Sequence, residues 1–175
     1  MRKSFARGFT LVEILMVVVI LGIIAAIIVP QIGARDDIKL SAAARMIMAD
    51  LSYAQSRAIS TQKKQYIQFA GDQYTILSRN SDSDALAAIT HPVNPGSFEI
   101  TLNTGPLAGV TVSSSTFGTT SVLAFDALGS PLSYSASTNT STTLSSPGII
   151  RLQSGDRILT ISIEPYTGEM SVSEG

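Results

Sequence analysis

The sequence predicts an α+β protein in which a long N-terminal helix packs on an antiparallel, β-sandwich-like head. Three observations support this fold class. An apolar run near the N-terminus contains a single charged residue. An amphipathic stretch with helical spacing follows it. The C-terminal part alternates apolar residues between turn formers, a pattern typical of β-hairpins. The 175 residues leave room for one domain with extensions.

The composition limits the classes of function that the chain can have. It contains 12 basic and 13 acidic residues, one histidine and no cysteine. A net charge of −1 gives no electrostatic basis for binding nucleic acid, so we do not expect a nucleic-acid partner. Without cysteine there is no disulfide framework, thiol catalysis or cysteine-ligated metal. We therefore expect no enzyme, no cofactor and no metal.

The apolar run extends from Phe9 to Val29, and 15 of its 21 residues are Phe, Leu, Ile or Val. As a helix it would be about 31 Å long, close to the hydrocarbon thickness of a bilayer. The basic residues that precede it predict a single membrane pass with a cytoplasmic N-terminus. Glu13 costs about 3 kcal/mol on insertion, whereas the apolar residues contribute roughly 5–9 kcal/mol in favour.

The residues leave three interpretations of this segment open. It is a simple membrane anchor whose Glu13 reaches the headgroups, a secretory signal peptide, or an anchor whose leader is removed at a defined site. The run is longer than the usual core of a signal peptide, and residues 32–34 fit the small-x-small cleavage rule poorly. The third interpretation accounts for the most residues, because Gly8 precedes Phe9 and Glu13 is fifth from Phe9.

The stretch "KSFARGFTLVEILMVVVILGIIAAIIVPQ" resembles the N-terminus of type IV prepilins and type II secretion pseudopilins. The resemblance implies a leader peptide, residues 1–8, that a membrane prepilin peptidase cuts between Gly8 and Phe9. It also implies N-methylation of Phe9, and pairing of Glu13 with the new amino terminus of a neighbouring subunit. Since a buried carboxylate is costly unless it is paired, Glu13 is expected to fix the register in which the helices assemble.

The second half of the helix is predicted over residues 30–60. Pro30 directly follows the apolar run and is expected to kink the helix. Beyond it, apolar residues recur at spacings of three and four, which predicts an amphipathic helix that continues into the head. The apolar positions are Leu40, Ala44, Ile47, Leu51, Ala54 and Ala58. Together with the transmembrane half, residues 9–29, this helix would be roughly 75 Å long.

Residues 61–175 are predicted to form the β-rich globular head. The clearest hairpins turn at residues 70–73 and 154–156, and a last short strand contains Met170 and Val172. Two stretches are predicted to be irregular. Residues 80–96 contain two prolines, and residues 133–146 include ten Ser or Thr in fourteen, a composition typical of a mobile surface loop.

The head offers little recognisable chemistry. The single histidine, His91, has no nucleophile-elbow motif in the chain to accompany it, so a catalytic role is not expected. Asn80, Asp82 and Asp84 have the oxygen spacing that begins a calcium loop. However, Ala85 and His91 stand where an EF-hand needs glycine and glutamate. A solvated turn is therefore the simpler interpretation of this acidic stretch.

The C-terminal stretches "GIIRL" and "ILTISIEPYTGEMSV" resemble the GspH/FimT-type minor pseudopilins and minor pilins. This resemblance implies a minor pseudopilin, a structural subunit of a type IV pilus-like filament in type II protein secretion. An alternative is a FimT-like minor type IV pilin acting in pilus biogenesis, adhesion or DNA uptake. A major pilin is a further alternative, but many major pilins carry a C-terminal cysteine pair that this chain lacks.

The same resemblance implies the partners and the location of the chain. Other pseudopilins or pilins would surround it in a helical filament. A prepilin peptidase and an inner-membrane assembly platform would process and assemble it. The protein would lie in the cell inner membrane, with its head on the periplasmic or extracytoplasmic side.

Overall fold

The computed structural model describes residues 9–28, 31–80 and 85–175. The chain divides into two compact units, one ending at Arg35 and the other, the head, extending from Asp36 to Gly175. The first unit contains helix α1, Leu11–Ile28, and the head contains most of helix α2, Gln31–Thr61. Two helices and two antiparallel sheets confirm the predicted α+β class.

Eleven strands lie within the described residues. In chain order they are β1 (Gln65–Ala70), β2 (Gln73–Arg79), β3 (Leu86–Ala88), β4 (Glu99–Thr101), β5 (Thr111–Thr116), β6 (Val122–Phe125), β7 (Pro131–Ser135), β8 (Thr140–Thr143), β9 (Gly148–Ser154), β10 (Arg157–Ile163) and β11 (Met170–Glu174). The large sheet has the order β3-β2-β1-β6-β7-β8, with β4 also paired to β2. The small sheet has the order β11-β10-β9-β5.

Helix α2 supplies the central stripe of the head's core. Every apolar position predicted for this stripe is buried, which confirms the amphipathic pattern. The stripe packs with side chains from both sheets in one cluster, including Ile67 of β1, Leu123 of β6 and Ile161 of β10. Polar contacts fix the beginning of α2 within the head, because Ser154 Oγ donates to Asp36 Oδ1 at 3.1 Å and Lys39 Nζ donates to the Ala108 carbonyl at 2.8 Å.

The predicted hairpins are present. Strands β1 and β2 pair across the turn at Gly71, and β9 and β10 pair across Gly155. Within residues 80–96, which were predicted to be irregular, Leu86–Ala88 form the short strand β3 against β2. The prediction therefore missed one three-residue strand in this stretch.

The prediction of a mobile loop over residues 133–146 was wrong. This stretch contains the end of β7 and all of β8, which pair as a hairpin. Two apolar side chains hold it, because Tyr134 and Leu144 are both buried. Cross-strand pairs of Ser and Thr suit a pleated surface, so a hydroxyl-rich sequence with two buried anchors forms a hairpin.

A second, smaller apolar cluster includes this hairpin. Tyr66 and Tyr134 meet edge to face with ring centroids 4.7 Å apart, and the Arg79 guanidinium lies 5.7 Å above the Tyr66 ring. Asn139, at the hairpin tip with φ of 54°, accepts hydrogen bonds from Arg79 Nη2 at 2.7 Å and from the Tyr134 hydroxyl at 3.0 Å. The hairpin is thus tied to β1 and β2 by an aromatic and polar network.

Some sequence predictions fall outside the described residues. They include the kink at Pro30, the end of the apolar run at Val29, and the carboxylates Asp82 and Asp84. Among the residues that are described, no helix combines the length and the hydropathy needed to cross a membrane.

Candidate functional site

The candidate site at the N-terminus is built around the first turn of α1. The helix begins at Leu11, and the preceding residue, Thr10, caps it. Its side-chain oxygen Oγ1 accepts a hydrogen bond from the backbone N–H of Glu13 at 3.2 Å, and its carbonyl accepts one from the N–H of Ile14 at 3.2 Å. A threonine that satisfies the N–H of the third helical residue is an N-cap, so Thr10 determines where α1 starts.

Glu13 therefore occupies the third position of the helix. Threonine followed three residues later by glutamate is the sequence signature of a capping box. This role of Thr10 was not predicted from the sequence, although the pattern Thr10-Leu11-Val12-Glu13 contains it. A carboxylate in the first turn also interacts favourably with the positive end of the helix dipole. The first turn is thus a favourable position for a negative charge in an otherwise apolar segment.

The rest of α1 presents apolar side chains in all directions. Glu13 is the only ionisable residue in the helix, and each side chain described from Phe9 to Ala25 is exposed within the single chain. Phe9, which would be the first residue after the predicted cleavage, is 77% exposed. Gly8 lies outside the described residues. A helix that is apolar on every side requires surroundings other than water, such as lipid or other helices.

The head contains a second group of functional interest, in which a carboxylate, a phenol and an imidazole lie close together. Asp50 of α2 accepts a hydrogen bond of 2.5 Å from the Tyr74 hydroxyl of β2. His91 stacks on Phe98 with ring centroids 4.4 Å apart. Its Nδ1 accepts hydrogen bonds from the backbone N–H groups of Val93 and Asn94, both at 3.1 Å. His91 therefore organises its own loop.

The ionisation of this group follows from burial. Desolvation raises the pKa of Asp50, and the Tyr74 hydrogen bond and, to a smaller extent, the electrostatic interaction with His91 oppose that shift. Desolvation also raises the pKa of Tyr74, and the charge and hydrogen bond of Asp50 raise it further. Tyr74 is thus held as a neutral donor to Asp50, an arrangement that joins α2 to β2. This pair was not predicted from the sequence, because residues 50 and 74 meet only after folding.

Metal binding was tested against the geometry. Within the described part of the chain, no cluster of three or more His, Asp or Glu side chains is placed to hold a metal ion. Among the acidic residues suspected of binding calcium, Asp82 and Asp84 lie outside that part. The head's polar contacts instead join its own elements together.

Both the N-terminal segment and the head match known protein families. Residues 3–29 match the prokaryotic N-terminal methylation motif, and residues 43–166 match the family described as type II transport protein GspH. The second match covers more than half of the chain. The chain belongs to the GspH family. The sequence-based prediction of a GspH-type minor pseudopilin in type II secretion is therefore confirmed.

Two individual proteins are similar to parts of this chain. The type II secretion system core protein G of Pseudomonas aeruginosa is 57% identical over 37 residues, which span 21% of this chain and 26% of that protein. The structure of the minor pseudopilin EpsH from the type 2 secretion system of Vibrio cholerae aligns with a TM-score of 0.57 at 11% identity. It covers 78% of this chain and 97% of that one, so the likeness is one of fold.

Proposed function

We propose that this GspH-family chain is a single-pass inner-membrane protein that is processed at its N-terminus and then joins a filament of pseudopilins. Residues 9–29 form the anchor, the N-terminus is cytoplasmic, and the head is periplasmic. The observation that carries the proposal is the presence, on one chain, of the N-terminal methylation motif and the GspH head. The role is mechanical, and no residue of the chain has a catalytic part in it.

Processing creates the charge that Glu13 requires. A prepilin peptidase hydrolyses the peptide bond between Gly8 and Phe9, and the new amine of Phe9 is protonated at neutral pH. Gly8 suits this step because a residue without a Cβ allows close approach of the backbone to a protease. N-methylation of Phe9 leaves the amine basic, so the positive charge remains.

Glu13 then pairs with the Phe9 amine of a neighbouring subunit. The Thr10 cap places Glu13 in the first turn of α1, close to the end of the helix at which the amines of neighbouring chains arrive. In apolar surroundings, an unpaired carboxylate is strongly disfavoured, whereas a carboxylate that meets an amine is not. Registers that leave Glu13 unpaired are therefore rejected, and the filament grows in one register.

The uniform apolar surface of α1 suits both states of the subunit, because the same side chains face lipid before assembly and other helices afterwards. Leaving the bilayer costs several kcal/mol by the insertion energies of the apolar residues. An inner-membrane assembly platform that couples an energy source to extraction of the helix would supply this free energy. Other pseudopilins, the prepilin peptidase and this platform are the partners of the chain.

The test uses the full-length chain in a bacterium with a working type II secretion system. Glu13→Gln keeps the size and the capping geometry but removes the charge, and Glu164→Gln removes an exposed carboxylate of the head as the matched control. We expect both variants to insert into the membrane, and only Glu13→Gln to lose incorporation into filaments. Filaments with normal amounts of Glu13→Gln would rule out the pairing.

A second measurement tests processing independently. Mass spectrometry of the wild-type chain from membranes should show a chain that begins at Phe9 and carries one added methyl group on its amine. Gly8→Leu should leave the leader attached. An N-terminus at any other residue in the wild-type chain would remove the amine that Glu13 needs and would overturn the assembly mechanism.

A further inference from the structure

The outer edge of strand β11 is open. In the ladder between β10 and β11, Glu164 donates its N–H to the Glu169 carbonyl at 2.8 Å, and Gly175 donates to the Ile158 carbonyl at 3.1 Å. Hydrogen-bonded and non-hydrogen-bonded pairs alternate in an antiparallel ladder. With the observed register, the N–H and C=O groups of every second residue, Met170, Val172 and Glu174, point away from β10. No described strand of the chain pairs with them.

On the core face of the sheet, the side chain of Val172 also lacks a neighbouring strand to pack against. Val172 lies opposite Ile161, which is fully buried in the core, and the two side chains share a face of the sheet. Val172 is nevertheless 43% exposed. A β-branched apolar side chain on the core face is left half in water because no strand lies beyond it.

The other sheet edges carry features that discourage pairing. Strand β5, at the opposite edge of the small sheet, has a register shift between Val112 and Ser114, and a bulge of this kind disrupts edge pairing. At the edges of the large sheet, strands β3 and β4 have three residues each and strand β8 has four. Strand β11 has five residues and a regular register, and its one charged residue, Glu174, lies at its C-terminal end.

Two short side chains of helix α2 lie next to this edge. At one end of β11, the short side chain of Ser52 contacts Met170, with Oγ 4.0 Å from the sulfur. At the other end, Ser41 lines a cavity of about 240 Å³ together with Glu174. Both residues belong to α2 and have short side chains.

We propose that β11 pairs antiparallel with β11 of a second copy of this chain, around a two-fold axis at Val172. The strand sequence Met-Ser-Val-Ser-Glu is self-complementary in this register. Val172 meets Val172 of the second copy, each Ser171 faces a Ser173, and each Glu174 faces a Met170, so no like charges oppose each other. Two-fold axes at Ser171 or Ser173 leave outward backbone groups of β11 unpaired, whereas the axis at Val172 pairs them all.

In this pairing the exposed edges of the two β11 strands cover each other. The interface is isologous, because both copies contribute the same residues around the two-fold axis. One strand pair buries less surface than a stable soluble complex needs, so the dimer is weak in dilute solution. The test therefore uses covalent capture in membranes. The chain has no cysteine, so each introduced cysteine reports alone.

Val172→Cys in the full-length chain is oxidised in native membranes. Paired residues of this type have Cα atoms about 5.5 Å apart, within the range that a disulfide spans. We expect a covalent homodimer of Val172→Cys and none of Val93→Cys, the matched control on a loop, where the side chain is 82% exposed. A Val172→Cys dimer no more abundant than the control, or a crosslink to a different protein, would overturn the proposal.

A second pair of variants fixes the register and guards against misfolding of Val172→Cys. Ser171→Cys and Ser173→Cys, expressed together, should crosslink to each other more than either does to itself. Adding Val172→Lys to both chains should reduce this crosslink to the control level, because it places two charges opposite each other. Equal crosslinking with and without Val172→Lys would contradict the pairing. Neither experiment depends on cleavage at Gly8 or on Glu13, so a negative result leaves the proposed function intact.

Discussion

Helices α1 and α2 are neighbours in the sequence but depend on different surroundings. The side chains described in α1 are all exposed within the single chain, and its apolar residues cover every side of the helix. Helix α2 buries one stripe and exposes the opposite side, as Ile47 and Ile38 illustrate at 0% and 70% exposure. The chain therefore supplies the packing partner of α2, whereas lipid or other subunits must supply that of α1.

This difference separates two kinds of mutational effect. Changes in the α2 stripe should alter the stability of the head, because the core cluster includes that stripe. Changes in α1 should alter insertion and assembly and leave the head's stability unchanged. All five tyrosines lie in the head, so tyrosine absorbance and fluorescence of the full-length chain in detergent report unfolding of the head alone.

The largest effect is expected for Ile47→Ala. Removing this fully buried side chain should lower the free energy of unfolding of the head by about 2–5 kcal/mol, through lost burial and the cavity that remains. Urea titration followed by tyrosine fluorescence measures this. Ile38→Ala, on the exposed side of the same helix, and Val18→Ala in α1 should each change it by less than about 0.5 kcal/mol. A large effect of Val18→Ala would show that α1 stabilises the head.

The second largest effect on stability is expected where Gln55 of α2 binds two turns of the head. The Gln55 amide donates to the Gly129 carbonyl at 2.9 Å and to the Thr167 carbonyl at 3.3 Å. A Cβ at Gly168, where φ is 69°, would lie 2.7 Å from the Gln55 amide nitrogen. Gly168→Ala should therefore cost about 1–2 kcal/mol for the left-handed backbone, and a further 1–3 kcal/mol, roughly, for displacing the amide.

Gly71→Ala is the matched control for this prediction. Gly71 has a similar φ of 60°, but a Cβ there would meet nothing within 4 Å. The difference between the two variants in urea titrations measures the contribution of Gln55. That difference should disappear in a Gln55→Ala background. If both glycine variants cost the same in the wild-type background, the Gln55 bridge does not stabilise the head.

Much of this architecture could be predicted from the sequence, because the decisive signals are local. The α2 stripe follows from apolar spacing, and the hairpins at Gly71 and Gly155 follow from turn residues between alternating strands. The β7–β8 hairpin could not be predicted in this way, since the burial of Tyr134 and Leu144 and the hydrogen bond from Arg79 to Asn139, sixty residues apart, arise only after folding. At the N-terminus, the charge of Glu13 was recognised, but the contribution of Thr10 requires the position of the helix start.

The Tyr74–Asp50 pair predicts a specific loss of stability at high pH. In the unfolded chain Tyr74 loses its proton near pH 10, whereas its raised pKa in the folded head keeps it protonated. The unfolded state then binds fewer protons, so the free energy of unfolding falls as pH rises above 10, by about 1.4 kcal/mol per pH unit. Urea titrations on both sides of pH 10 should show a shallower fall for Tyr74→Phe. Tyr166→Phe, at an exposed tyrosine, is the control and should retain the wild-type slope.

The smallest effect is expected at the start of α1, where the comparison between the helices is sharpest. Thr10→Ala removes the acceptor for the Glu13 N–H and should weaken the first turn by about 1 kcal/mol, whereas Thr10→Ser should preserve it. Amide hydrogen exchange of the full-length chain in micelles measures this, as roughly fivefold faster exchange at Glu13. Exchange in the α2 stripe should not change, because the described core of the head is made of residues from Leu40 onward. Unchanged exchange at Glu13 in Thr10→Ala would mean that another group sets the start of α1, and the position of the carboxylate would then need a different explanation.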